Sequence, residues 1–326
     1  MAGARLPDDH TRPPDEPSML ETTASGDPAV APRAAVLATP EPGDNLGPYV
    51  VEATLGQGAM GVVYKAADDR GQKVAVKLLH RWHTDPETGE DDWLRHEAGT
   101  LARLSHPNVV AVLGVGTFDD RPFLAMELVD GETLATWMKQ PRPWRDIVPI
   151  IRDAARGLAA VHTAGMIHGD FKPDNLMVGR DGRARVMDFG LARSTFGADA
   201  TAAPTVEVER GGVSRHRFVG TPAYMAPEQL AGRRAEARSD QFACSVTLYE
   251  ALYGERPFPG QTATELAYNV MRGFRRPRPR TTDVPAWLHQ IVHRGLALVG
   301  AARWPSMAAY ADALERGMQE HADDDA

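Results

Sequence analysis

From residue 46 onward the apolar positions fall in short runs separated by Gly, Asp and Pro, at residues 49–55, 62–67, 73–79, 109–115 and 123–129. Val-rich runs of this length, bounded by turn formers, predict the strands of a small antiparallel sheet. Between the third and fourth runs, Leu94, Glu97, Leu101 and Leu104 fall at helical spacing, a stripe that sets one carboxylate among leucines. Beyond Gly131 the period lengthens, predicting helices over 144–164, 239–253, 262–273, 285–298 and 306–316, interrupted by short extended pieces at 176–178 and 184–187. A stretch of small, Thr and charged residues at 194–217 reads as a long loop. The pattern is α+β: a small sheet lobe with its connection over 46–129, then a larger helical lobe over 130–316.

Charge separates the ends from the middle. The 326 residues carry a formal charge of −8, yet residues 1–45 alone hold three arginines against eight carboxylates, and Glu320, Asp323, Asp324 and Asp325 crowd the last ten. The first 45 residues are rich in Pro, Ala and acid, lack any period, and have too little apolar content to offset their ordering entropy, so they read as a disordered arm. Residues 317–326 read as an acidic tail. The nearly neutral middle carries no footprint for nucleic acid. No uncharged run approaches the ~18 apolar residues of a membrane span, and no basic-then-apolar leader opens the chain. A lone cysteine, Cys244, fits a reducing compartment, so a cytoplasmic location is expected.

Three constellations carry chemistry. Gly56, Gly58 and Gly61 lie between two predicted strands, where main-chain N–H groups without a Cβ in the way can close over phosphates. A dinucleotide fold would open a helix here, whereas Val62-Val63-Tyr64 continues as strand. The run Val74-Ala75-Val76-Lys77 sets an amine among apolar residues, and Glu97 follows 20 residues later on the helical stripe. Buried singly each ion is costly; paired, they satisfy each other and leave the ammonium able to meet phosphate. Finally, in His168-Gly169-Asp170-Phe171-Lys172-Pro173-Asp174-Asn175 and Asp188-Phe189-Gly190, Asp170 is an acceptor for a hydroxyl proton and Lys172 a phosphate cation. Asn175 and Asp188 would supply two oxygen ligands for magnesium.

These motifs, in this order and with Ala226-Pro227-Glu228 after them, resemble the protein-kinase family over residues 46–316. Gly220-Thr221-Pro222-Ala223-Tyr224-Met225 and Arg303-Trp304-Pro305-Ser306-Met307 are most similar to bacterial eukaryotic-type serine/threonine kinases. The resemblance implies a bilobal kinase-like fold and transfer of the γ-phosphoryl of ATP to protein Ser or Thr hydroxyls with Mg²⁺, or Mn²⁺ in its place. It implies that Lys77, oriented by Glu97, contacts the α- and β-phosphates, that Asp170 accepts the hydroxyl proton, and that Lys172 neutralises the transferred group. Asn175 and Asp188 would hold the metal. Leu55, Gly56, Gly58, Gly61, Val63 and Ala75 would cover the nucleotide from above and Met177 from below, with Met126 at the rear and the main chain of Glu127 to Val129 at the purine edge. Glu228 would pair with Arg303, and Asp240 would hold the catalytic loop. Relatives of this type also imply pairing of two copies and autophosphorylation in trans.

The chain departs from the family at Gly169, where an Arg usually precedes the catalytic Asp and pairs with a phosphorylated loop residue. Activity is therefore expected to depend weakly on phosphorylation of Thr195, Thr201, Thr205 or Ser214. His-Gly-Asp with Asn five residues on also resembles aminoglycoside- and choline-type phosphotransferases, which lack Ala-Pro-Glu and Gly-Thr-Pro. A silent pseudokinase scaffold would have lost Lys77, Asp170 or Asp188, and all three stand. His289 and His293 are four apart, but Gln290 occupies the place of a zinc hydrolase's glutamate, so no metal site is expected there.

Overall fold

The Val-rich runs pair into one antiparallel sheet. In the computed structural model, which describes residues 39–58, 61–80, 99–189 and 222–321, the first lobe contains β1 (Asn45–Leu46), β2 (Tyr49–Gly58), β3 (Gly61–Ala67), β4 (Lys73–Leu79), β5 (Val112–Phe118) and β6 (Arg121–Glu127). Their order across the sheet is β1-β2-β3-β4-β6-β5. Strand β4 has neighbours on both sides and is buried from Val74 to Leu79. Its pleat sends Val74, Val76 and Leu78 into a core with Tyr64, Phe123 and Ala125, and Ala75 and Lys77 to the opposite face.

The fourth run begins as strand three residues later than its pattern predicts. Val110 donates its N–H to the Val186 carbonyl at 2.9 Å, and Val186 donates to the Asn108 carbonyl at 2.9 Å. Val109 and Val110 thus belong to a stitch between the lobes, and the sheet edge starts at Val112. Asp119 and Asp120 both take positive φ, 50° and 57°, and turn β5 into β6 over two residues. That turn starts β6 at Arg121, two residues earlier than expected.

The second lobe is built from the ribbon β7 (Gly131–Thr133), β8 (Leu176–Gly179) and β9 (Ala184–Val186) with helices α1 (Leu134–Trp137), α2 (Trp144–Thr163), α3 (Pro227–Leu230), α4 (Ala237–Tyr253), α5 (Ala263–Arg272), α6 (Ala286–Gly295) and α7 (Met307–Glu320). Helix α4 is buried on every side from Ser239 to Tyr249, polar residues included, as expected of a helix at the centre of a lobe. Helix α6 ends three residues before the predicted stop. Helix α7 runs on to Glu320, so the first residues assigned to an acidic tail are helical. Pairing with the sheet also begins before residue 46. Gly43 donates to the Val51 carbonyl at 2.9 Å and Val51 to the Asp44 carbonyl at 2.8 Å, so the last residues given to the arm are tied to β2. The rest of the arm, Glu97 and the loop over 194–217 lie outside the described residues. Among the described residues no helix is long and apolar enough to cross a membrane.

Candidate active site

The cleft-facing surface of the small lobe follows from register. Val63 lies opposite Lys77, and Ala75 opposite Met126, so these four residues share one face of the sheet. Gly61 closes the β2–β3 turn where a Cβ would lie 2.2 Å from the Leu78 carbonyl oxygen, so only glycine fits. Gly56 and Gly58 differ: a Cβ at either would meet nothing within 4 Å, and the fold does not require glycine there. Leu55 is half exposed on the same strand. Glu127 accepts from the Ala111 N–H at 3.3 Å and from Arg185 at 3.2 Å. Val129 and Met187 each pack against the cluster of Val110, Leu124 and Met126, and Met177 sits on β8 opposite Arg185.

Lys77 is buried, and its ammonium lies 2.8 Å from Asp188 Oδ1. Asp188 lies two residues beyond the end of β9 and takes a left-handed backbone, φ 62°, a conformation Asp tolerates better than most residues. The turn between β8 and β9 brings the residues following Asp170 against those preceding Asp188, since Met187 donates its N–H to the Asn175 carbonyl at 3.0 Å. His168 strengthens this link. Its Nε2 lies 3.0 Å from the Met187 carbonyl, which can only accept, and its Nδ1 accepts the Asp170 N–H at 3.3 Å. The two bonds together specify the tautomer with hydrogen on Nε2. Its ring packs against Phe171 and Phe189 at centroid distances of 5.7 and 5.1 Å.

Asp170 Oδ2 accepts from the Lys172 ammonium at 2.7 Å. Asn175 donates Nδ2 to the Asp170 carbonyl at 2.8 Å, which turns its amide oxygen outward as an acceptor. The structure therefore gathers Lys77, Asp188, Asp170, Lys172 and Asn175 through one connected set of contacts.

The loop that carries Asp170 is held from below. Asp240, on buried α4, accepts the N–H groups of His168 at 2.9 Å and Gly169 at 2.8 Å, and meets His162 Nε2 at 2.7 Å. Gly169 has φ 78° and room around its Cβ position, so the constraint there is dihedral rather than steric. Gln229 on α3 donates to the Gly169 carbonyl at 2.9 Å and accepts the Ala226 N–H at 3.0 Å. His162 and Gln229 were not singled out by sequence, because a His at a helix end and a Gln in a polar turn carry no pattern. Behind them Arg303 grips Glu228 in a fork at 2.7 and 2.9 Å. Burial raises the Glu228 carboxyl, but the guanidinium and the Ser239 hydroxyl outweigh it and hold the group below the usual carboxylate range.

With this geometry in place, the protein kinase domain family matches residues 49–311. Serine/threonine-protein kinase Pkn1 of Myxococcus xanthus is 34% identical over 86% of this chain and 39% of its own length. Serine/threonine-protein kinase PknL of Mycobacterium tuberculosis is 33% identical over 82% of this chain and 64% of its own. The chain thus spans less than two thirds of these curated relatives. The crystal structure of the Mycobacterium tuberculosis PknI kinase domain superposes with a TM-score of 0.62 at 26% identity, covering 85% of this chain and 99% of that one.

Proposed function

The chain belongs to the protein kinase family, and from that premise we propose that it is a serine/threonine protein kinase that transfers the γ-phosphoryl of ATP to protein hydroxyls. The observation that carries this reading is the convergence of one buried ammonium, two carboxylates, an amide oxygen and a second ammonium from β4, the 170–175 loop and the end of β9. That donor set matches a triphosphate with a hard cation, because carboxylate and amide oxygens are the ligands such a cation takes. The open space over Gly56 and Gly58 supports the same reading, since it leaves main-chain N–H groups approachable by phosphate.

In this reading Lys77 donates to the α- and β-phosphates and Glu97 orients it. Val63, Ala75, Met126 and Met177 enclose the purine, with Leu55 at the rim and the main chain of Glu127 to Val129 at its edge. Asn175 and Asp188 hold Mg²⁺, which supplies charge stabilisation on the phosphate oxygens when bound. Asp170, steadied by Lys172, accepts the proton of the Ser or Thr hydroxyl as its oxygen bonds to the γ-phosphorus and the bond to ADP breaks. Lys172 offsets the charge spread over the transferred group. Asp240 and Gln229 act one step removed by fixing the main chain of the loop. The buried Cys244 fits a cytoplasmic setting.

Incubation with Mg²⁺, labelled ATP and a generic basic protein tests the proposal. Label should appear on Ser or Thr, and Asp170→Asn should lower the rate by about 10²- to 10⁴-fold. Label confined to an added aminoglycoside or choline, or absent altogether, overturns it.

A further inference from the structure

The helical lobe contains a second polar cavity that the nucleotide cleft does not use. It has a volume of about 330 Å³ and is walled by Tyr249 from α4, Arg275, Arg276 and Arg278 from the segment after α5, and His289 and His293 from α6. The chain leaves α5 through Gly273 in the left-handed conformation, and Pro277 and Pro279 keep the following residues from continuing as helix. This turns three arginines of a four-residue stretch onto one cavity.

The charges in that wall are poorly compensated. Arg276 pairs with Glu255 at 3.1 Å. Among the described residues neither Arg275 nor Arg278 has a carboxylate partner: Arg275 donates to the His293 carbonyl at 3.2 Å, and Arg278 to the Val284 carbonyl at 2.5 Å and to the Tyr253 hydroxyl. Burial, with the arginines around them, pushes both His289 and His293 below the usual imidazole range. Tyr249 adds an independent signal. It is 3% exposed, and among the described residues its hydroxyl has no hydrogen-bond partner. Cations without counter-charge and a buried hydroxyl without a partner are both unfavourable in isolation, and one anion in the cavity relieves both.

We propose that this cavity binds a phosphoryl group, separately from the nucleotide cleft. The guanidinium forks of Arg275 and Arg278, two imidazoles and a phenol offer more donors than the two oxygens of a carboxylate can accept, whereas a phosphoryl group presents three strong acceptors and close to two charges. The volume is at the lower end for ligand sites and suits a phosphate with the short chain that bears it. The source is either free phosphate or a phosphorylated side chain.

Calorimetric titration of the full chain with inorganic phosphate, with a peptide bearing one phosphoserine, and with the same peptide unphosphorylated tests the assignment. Phosphate or phosphopeptide should bind and the unphosphorylated peptide should not. Tighter binding of the phosphopeptide assigns a phosphorylated side chain, and equal affinity assigns the free ion. Arg275→Gln with Arg278→Gln should weaken binding by about tenfold or more. Tyr249→Phe should weaken it several-fold while leaving the thermal midpoint of the unliganded protein unchanged, because the hydroxyl it removes bonds nothing there; this variant decides the matter if the double variant fails to fold. Binding should persist in Lys77→Met. Equal affinity in all the cavity variants, loss of binding in Lys77→Met, or no binding by the wild-type chain at millimolar phosphate overturns the proposal.

Discussion

Two of the ion pairs that tie distant parts of this chain together, Glu228 with Arg303 and Lys77 with Asp188, are built to opposite rules. Arg303 is fully buried and uses its whole fork: two bonds to Glu228, and others to the carbonyls of Ala297, Arg238 and Leu298 at 2.8, 2.6 and 3.3 Å. Ser239 gives Glu228 a further bond at 2.7 Å. Lys77 makes one ion pair among the described residues, with a carboxylate that stays 22% exposed. An ammonium has three protons to donate and a carboxylate about four places to receive. The first pair has spent its capacity on the protein. The second keeps capacity in reserve, as the role proposed for it at the phosphates requires.

The comparison breaks most visibly at Arg303. Arg303→Met leaves Glu228 as a buried carboxylate without its counter-charge and should lower stability by about 3–5 kcal/mol in denaturant unfolding. An unchanged midpoint would sink the structural role given to the pair. Acid sharpens the same point. The folded-state value of Glu228 is depressed, so its contribution is complete above the ordinary carboxylate value near ~4.3 and is lost as pH falls through the lowered one. Arg303→Met should therefore show a smaller loss of stability between neutral pH and acid than the wild type.

At the other pair the expected effects are reversed. Lys77→Met should reduce phosphoryl transfer by about 10²- to 10³-fold. Its effect on stability should stay near ~0.5–1 kcal/mol, because Asp188 can be hydrated once the amine is gone. A variant that unfolds as readily as Arg303→Met would show that Lys77 braces the fold instead. The smallest effect is expected in the loop. Gly169 offers no side-chain cation, so changing Thr195, Thr201, Thr205 and Ser214 together to alanine should leave most of the activity, measured as label transferred to a basic protein. Near-total loss would mean that some other cation receives a loop phosphate.

Much of this was legible in the residues. The strand order of β2, β3 and β4 follows from alternating valines and glycine turns, and the Asp170–Asn175 cluster was legible because its residue types are fixed by chemistry at short spacing. The misread start of the fourth run has a long-range cause. Val109 and Val110 look like any β-rich pair, and only Val186, 76 residues beyond Val110, decides that they leave the sheet. Helix α4 was legible over 239–253 and starts two residues earlier, at Ala237, although burial on every side leaves it no single apolar stripe.

By itself the sequence determined the sheet-then-helix order of the fold, the candidate donor residues and the family, because these depend on local periodicity and on side chains whose chemistry is intrinsic. Tertiary structure decided which partners those side chains hold. Asp240 became the anchor of the 168–169 main chain, Gln229 its second tie, and Lys77 the neighbour of Asp188. Arg275, Arg278 and Tyr249 came to face one cavity. Such pairings join positions far apart in the chain, where no period reaches, and are set by which apolar surfaces pack first and which polar atoms must then find a partner.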